Sequence, residues 1–98
     1  MTNWKNISTD KLCEALLTLK TKEECYNFLD DICTIKEVLD IAQRLEVASL
    51  LEQKASYLEI SAKTGASSAT ICRVNKCLEY GSGGYKAVLD RMGDKAND

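Results

Sequence analysis

The chain contains no proline and no histidine, and only six of every hundred residues are aromatic. With few aromatic residues and many Leu, Glu, Lys and Ala, the composition favours helix over sheet. The lack of histidine removes the usual general base, the Ser–His and Cys–His nucleophile pairs and the commonest metal ligand. Carboxylate or lysine catalysis stays chemically open, but no constellation of acid, base and nucleophile is visible, so an enzyme is the least supported class. Five cysteines are present, Cys13, Cys25, Cys33, Cys72 and Cys77. Their number is odd and no C-x-x-C spacing occurs, which argues against a zinc site. No signal-peptide pattern or membrane-length apolar run is present, and the expectation is a cytoplasmic protein with reduced thiols. Each cysteine then reads as a small core or surface residue; a redox-sensing thiol at Cys72 is the alternative.

At 98 residues the chain is expected to form one domain, residues 1–98, near the lower end of what folds comfortably alone. Burying further apolar surface in a dimer would help it. The net charge of −2 is unevenly spread. Residues 1–51 carry six cations and nine acids, a net of −3, whereas residues 52–91 carry six cations and four acids, a net of +2. Contact with a polyanion is therefore expected in the second half.

Capping signals divide the chain into helices. Met1–Ser8 reads as a loosely held start, and Ser8 or Thr9 caps a first helix reaching about Leu19 with Leu12, Leu16 and Leu19 on one face. Thr21 and Glu24 form a capping box for a second helix with a stripe of Cys25, Phe28, Leu29 and Ile32. Thr34 and Glu37 repeat the device for a third helix ending near Glu52. That helix is apolar on more than one side, so it is expected in the middle of a structure, against a second subunit as well as its own neighbours. Ser56 and Glu59 open a brief fourth helix that Gly65 stops. A fifth runs from about Ser67 to Tyr80. After the turn at Gly81–Gly84 comes a short last helix with Val88, Leu89 and Met92 inward, and residues 93–98 are expected to fray.

On a helical wheel of residues 67–79, Ser67, Ile71, Val74 and Leu78 fall inward. Ala69, Arg73 and Lys76 centre the opposite side, with Ser68 and Cys72 at its edge. A helix lying in a major groove needs little bulk at its tip, exposed amides at its N-terminus and cations near phosphate. Ile60, the small Ser61, Gly65, Ile71 and Val74 stand at the offsets of a helix-turn-helix, although Thr64 and Ala66 flank the glycine where larger apolar residues are common. An ordinary helical hairpin with a solvated face is the competing reading.

The string SYLEISAKTGASSATICRVNKCLEYG resembles the DNA-reading part of the Trp repressor superfamily, within it the YerC/YecD group of Trp-repressor-related proteins. The likeness extends back through CTIKEVLDIAQRLEVASLLEQK and forward through GGYKAVLDRM, about two-thirds of the chain. It implies an all-α, six-helix subunit in an intertwined homodimer, each subunit offering one helix-turn-helix, residues 56–80, to double-stranded DNA. By position it implies base contacts from Ser68 and Ala69. Tyr57, Ser61, Cys72, Asn75 and Lys76 match positions at or near the DNA, and the adjoining Ser67, Thr70 and Arg73 complete the expected surface. Leu58 stands where the tryptophan-sensing member carries a base-reading arginine. For a ligand pocket the resemblance implies Arg73, matching the arginine that stacks on bound indole, and Cys77, replacing a serine. The second pocket arginine falls at Gln43 or Arg44. The sequence thus supports DNA binding more than tryptophan sensing, and no cofactor or metal is expected.

The expected function is a DNA-binding transcriptional regulator, a repressor, reading the major groove with residues 67–79. A small-molecule sensor with DNA binding as its output is one rival. A protein-interaction adaptor that kept the helix-turn-helix shape is another.

Overall fold

Helix starts in this chain are set by short-range hydrogen bonds, and they divide it cleanly. The computed structural model describes residues 3–93, which hold six α-helices and no strand. These are α1 (Ile7–Leu17), α2 (Lys22–Ile32), α3 (Ile35–Glu52), α4 (Tyr57–Thr64), α5 (Ser68–Tyr80) and α6 (Gly84–Met92). The all-α expectation holds. Residues 94–98, most of the tail expected to fray, lie outside the described residues.

Two starts differ in detail from the sequence reading. Helix α1 is capped by Asn6, not by Ser8 or Thr9: the Asn6 side chain accepts from the Thr9 amide at 2.9 Å, and Thr9 Oγ1 accepts from the Asn6 amide at 2.7 Å. Threonine at the third helical position takes the returning role that glutamate takes in the usual box, so Ser8 and Thr9 sit inside the helix. The helix ends at Leu17, two residues before Leu19. At α2, Thr21 Oγ1 accepts from the Glu24 amide as expected, but the Glu24 carboxylate accepts from the Lys20 amide at 2.8 Å, one residue earlier than Thr21.

The chain separates into two compact units, residues up to Ile35 and residues from Lys36 onward. In the first, α1 and α2 bury no residue. The stripes read from the sequence exist, yet Leu12, Leu16 and Ile32 are exposed and Leu17 is 85% exposed.

The second unit holds the core. Val47 and Ala48 of α3, Ile60 of α4, Ala66 of the turn, Ile71 and Val74 of α5 and Leu89 of α6 are all buried. Leu45, Leu50, Leu51, Ala55, Leu78 and Tyr85 pack around them. Helix α5 packs on both α4 and α6, and a salt bridge of 3.9 Å joins Lys86 of α6 to Glu52 of α3. Of the residues expected inward on α6 only Leu89 is buried; Val88 and Met92 are exposed. Nine residues give a single narrow stripe, and its centre is Leu89. The apolar side chains on the remaining sides of α3, Ile35, Leu39 and Ile41, are exposed.

Candidate nucleic-acid interface

Three local devices fix the pair α4–α5. Ser56 opens α4 through a reciprocal capping box: its hydroxyl accepts from the Glu59 amide at 3.1 Å, and the Glu59 carboxylate accepts from the Ser56 amide at 2.8 Å. These bonds, first the one from the Ser56 backbone and then the one with its side chain, hold the Glu59 carboxyl below its usual range, and the nearby charge of Lys63 adds to the effect. Gly65 closes α4 with φ of 76°, its amide donating to the Ser61 carbonyl. A side chain there would need the left-handed conformation that costs every residue but glycine. Ser67 then opens α5 by accepting from the Thr70 amide at 3.2 Å.

Between these caps lies a polar knot. Thr64 Oγ1 donates to the Ile60 carbonyl at 2.8 Å and accepts from the Ala66 amide at 3.1 Å. The Gln43 side-chain amide of α3 donates to the Thr64 carbonyl at 3.0 Å. Thr64 therefore satisfies the backbone of a turn that a leucine would leave to water. Ala66 is 2% exposed, so the small residue fits because the chain passes against the core there. The two departures from the usual pattern are thus accounted for, Thr64 by hydrogen bonding and Ala66 by packing.

Ile71 and Val74 are buried and Leu78 is partly buried, which turns the opposite side of α5 outward. Ser68, Ala69, Cys72, Arg73 and Lys76 are exposed on it, and Tyr57 and Ser61 are exposed on α4. Ser67 differs from its wheel position: it precedes the helix as its cap and is exposed. Thr70 is half-buried, and both its amide and its hydroxyl are engaged by Ser67. Asn75 is half-buried too, in a recess that it shares with Glu52 and Lys54 at the end of α3 and with Lys86. By helix geometry the amides of Ser68 and Ala69 have no intrahelical acceptor, and they mark the positive end of the helix dipole.

The charge of the hairpin, residues 56–80, is modestly positive: Lys63, Arg73 and Lys76, all exposed, stand against Glu59 and Glu79, a net of +1. Glu59 is engaged in the capping box, and Lys54, also exposed, lies just before the hairpin. Lys54 and Lys63 lie outside the wheel of α5, so the sequence reading does not name them. Lys54 also holds a φ of 68° at the junction of α3 and α4.

The candidate pocket residues are divided by the fold. Arg44 and Cys77 line an open concavity of about 610 Å³ with Ile41, Leu45, Tyr85 and Val88. Gln43 and Arg73 do not line it: Gln43 is bonded to the turn and Arg73 faces outward. Among the described residues, no group of three or more His, Cys, Asp or Glu is placed to hold a metal ion, and no helix is long and apolar enough to cross a membrane.

Comparison with known proteins gives a consistent picture. The family model for the Trp repressor protein matches residues 7–93. The uncharacterized protein YerC of Bacillus subtilis is 52% identical over 83 residues, covering 85% of this chain and 80% of that protein. The crystal structure of a candidate Trp repressor from Staphylococcus aureus superposes with a TM-score of 0.90 at 43% identity, over 93% of this chain and 91% of that one. That of a TrpR-like protein from Eubacterium eligens superposes with a TM-score of 0.88 at 48% identity, over 91% of this chain and 92% of that one.

Proposed function

The chain belongs to the Trp repressor family, and from that premise we propose that it is a homodimeric, sequence-specific DNA-binding regulator, a repressor, whose helix α5 enters the major groove. The observation that carries this reading is the outward face of α5. A tip of Ser68 and Ala69, whose amides have no intrahelical acceptor, is followed by exposed Arg73 one turn after Ala69 and exposed Lys76 two turns after it, all braced from behind by buried Ile71 and Val74. Small residues let the backbone approach base edges, while the cations and the helix N-terminus bind phosphate. Repression follows from occupying a promoter and needs no reaction on the protein. The dimer is supported by the uncovered apolar residues of α1, of α2 and of the first half of α3, Leu17, Tyr26, Ile35 and Leu39 among them. A twofold pair of such helices reads half-sites about one helical turn apart.

Selection of bound fragments from a random duplex pool tests the reading. The expected product is a palindromic site. On it Lys76→Ala weakens all sequences alike and lowers the logarithmic salt slope by about 0.9 for the lost phosphate contact. Ser68→Ala instead changes the preference among sequences. Retention of no duplex at low salt would favour the adaptor.

One observation favours a second reading, a small-molecule sensor with DNA as its output. The concavity beside Arg44 has apolar walls and a single cation, a combination suited to an apolar acid. Tryptophan fits this class only in part: Arg73, matching the indole-stacking arginine, does not line the concavity, and of the two candidates for the second pocket arginine Arg44 lines it while Gln43 is bonded elsewhere. Calorimetry against amino acids and indole compounds separates the two readings: no heat with any of them leaves a regulator that binds DNA constitutively.

A further inference from the structure

Leu58 of α4 is a large apolar residue that contributes nothing to the core. It is 82% exposed, while its neighbours Glu59 and Ile60 serve the capping box and the core. It is not isolated, however. Leu58, Tyr57, Ser61, Ser68 and Ile71 line a shallow notch of about 270 Å³ between α4 and the first turn of α5. Leu58 and Tyr57 supply apolar sides, Ile71 lies fully buried behind them, and two short hydroxyl side chains complete the rim. Ser68 belongs both to this notch and to the exposed tip of α5, so whatever the tip touches lies beside the notch.

The surroundings decide what can occupy it. The hairpin carries three exposed cations, Lys63, Arg73 and Lys76, against Glu59, which is engaged in the capping box, and Glu79 in the last turn of α5; with Lys54 just before it, this balance favours a polyanion over an acidic peptide as bulk partner. Within a duplex, the notch has no forked donor such as Arg, Asn or Gln, so it cannot make the paired hydrogen bonds that read guanine or adenine. Thymine alone among the four bases carries an apolar group, the C5 methyl, on its major-groove edge. We infer that this notch, with Leu58 as its principal wall, reads the C5 methyl group of a thymine flanking the bases met by Ser68 and Ala69. The inference rests on the DNA-binding reading and adds the base and the residue.

The test uses the full chain and the site recovered by selection. Each thymine of a half-site is replaced in turn by deoxyuridine, which removes only the methyl. At one fixed position the parent should lose about fourfold in affinity, the size expected for one buried methyl. Leu58→Ala should bind the thymine site about as weakly as the parent binds the deoxyuridine site, and should show no further loss on the deoxyuridine site. Leu58→Met, which keeps an apolar wall, should retain the sensitivity. Circular dichroism melts that match the parent confirm that both variants fold. A half-site without thymine, a parent indifferent to every deoxyuridine, or a deoxyuridine penalty equal in parent and Leu58→Ala would each overturn the inference while leaving DNA binding intact. Failure of the parent to retain any duplex would instead remove the DNA-binding reading and the inference with it.

Discussion

The bond from Gln43 to the Thr64 carbonyl offers a test in which sign matters as well as size. It spans 21 residues, is half-buried and ties α3 to the C-terminal end of α4. Thr64 closes α4, so its carbonyl is one of those a helix leaves without an internal partner. Gln43→Ala removes a neutral hydrogen bond at a site that water can partly reach, and should cost about 1 kcal/mol. Gln43→Glu does more: it sets a carboxylate oxygen against a carbonyl oxygen at the negative end of a helix dipole. The expected cost is about 2 to 3 kcal/mol, the lost bond plus an unfavourable charge near the helix end. The sign has a further consequence. The introduced carboxyl is disfavoured as an anion in the folded state, so its folded pKa lies above its unfolded one. Its penalty grows as pH rises through the carboxylate range and shrinks on acidification, where the protonated acid can donate to Thr64. Urea denaturation followed by circular dichroism, at fixed protein concentration and at two pH values with the parent beside each variant, reads both effects. One kcal/mol corresponds to a midpoint shift of about half a molar. If Glu at position 43 is no worse than Ala near neutrality, or if its deficit does not shrink at acid pH, the bond does not hold the turn.

Ile71→Ala, at a fully buried position between the two helices, should cost about 3 kcal/mol in denaturant melts, whereas Leu58→Ala on the exposed side should change stability by less than about 0.5 kcal/mol. Gly65→Ala should cost about 1 kcal/mol through backbone conformation alone, because a Cβ there meets no atom within 4 Å. Gly81→Ala should cost more in the same assay, since its Cβ would collide with the Cys77 carbonyl oxygen and the chain must shift. The Glu59 carboxyl is held below its unfolded value, so the stability it contributes is present above the unfolded pKa and lost as pH falls through the folded one. Glu59→Ala should therefore flatten the acid limb of the stability profile measured by denaturation across pH.

The α4–α5 hairpin was the most legible part of the chain because its determinants are local. Ser56 and Glu59 are three residues apart, Gly65 marks its own turn, and the inward residues Ile60, Ile71 and Val74 follow helical spacing. Short-range choices between similar caps were harder. Asn6, Ser8 and Thr9 are all competent at a helix start, and the outcome depends on which pair closes a reciprocal box. Long-range features left no trace in spacing. Nothing in the pattern around Gln43 announces a partner 21 residues away, and Arg44 and Cys77, which share a concavity, were paired by the family resemblance and not by their spacing. The stripe of α1 was visible as periodicity, but a period says only that a face is apolar and not what covers it.

Positions 58 to 60 divide labour in a way that bears on how such a surface diverges. Glu59 helps start its helix and commits its carboxylate to the capping box, and Ile60 has no solvent contact at all, so neither can drift without loss. Leu58, adjoining them, carries no structural duty. If the hairpin reads DNA as proposed, exchanging that one side chain gives a new target on an unaltered scaffold.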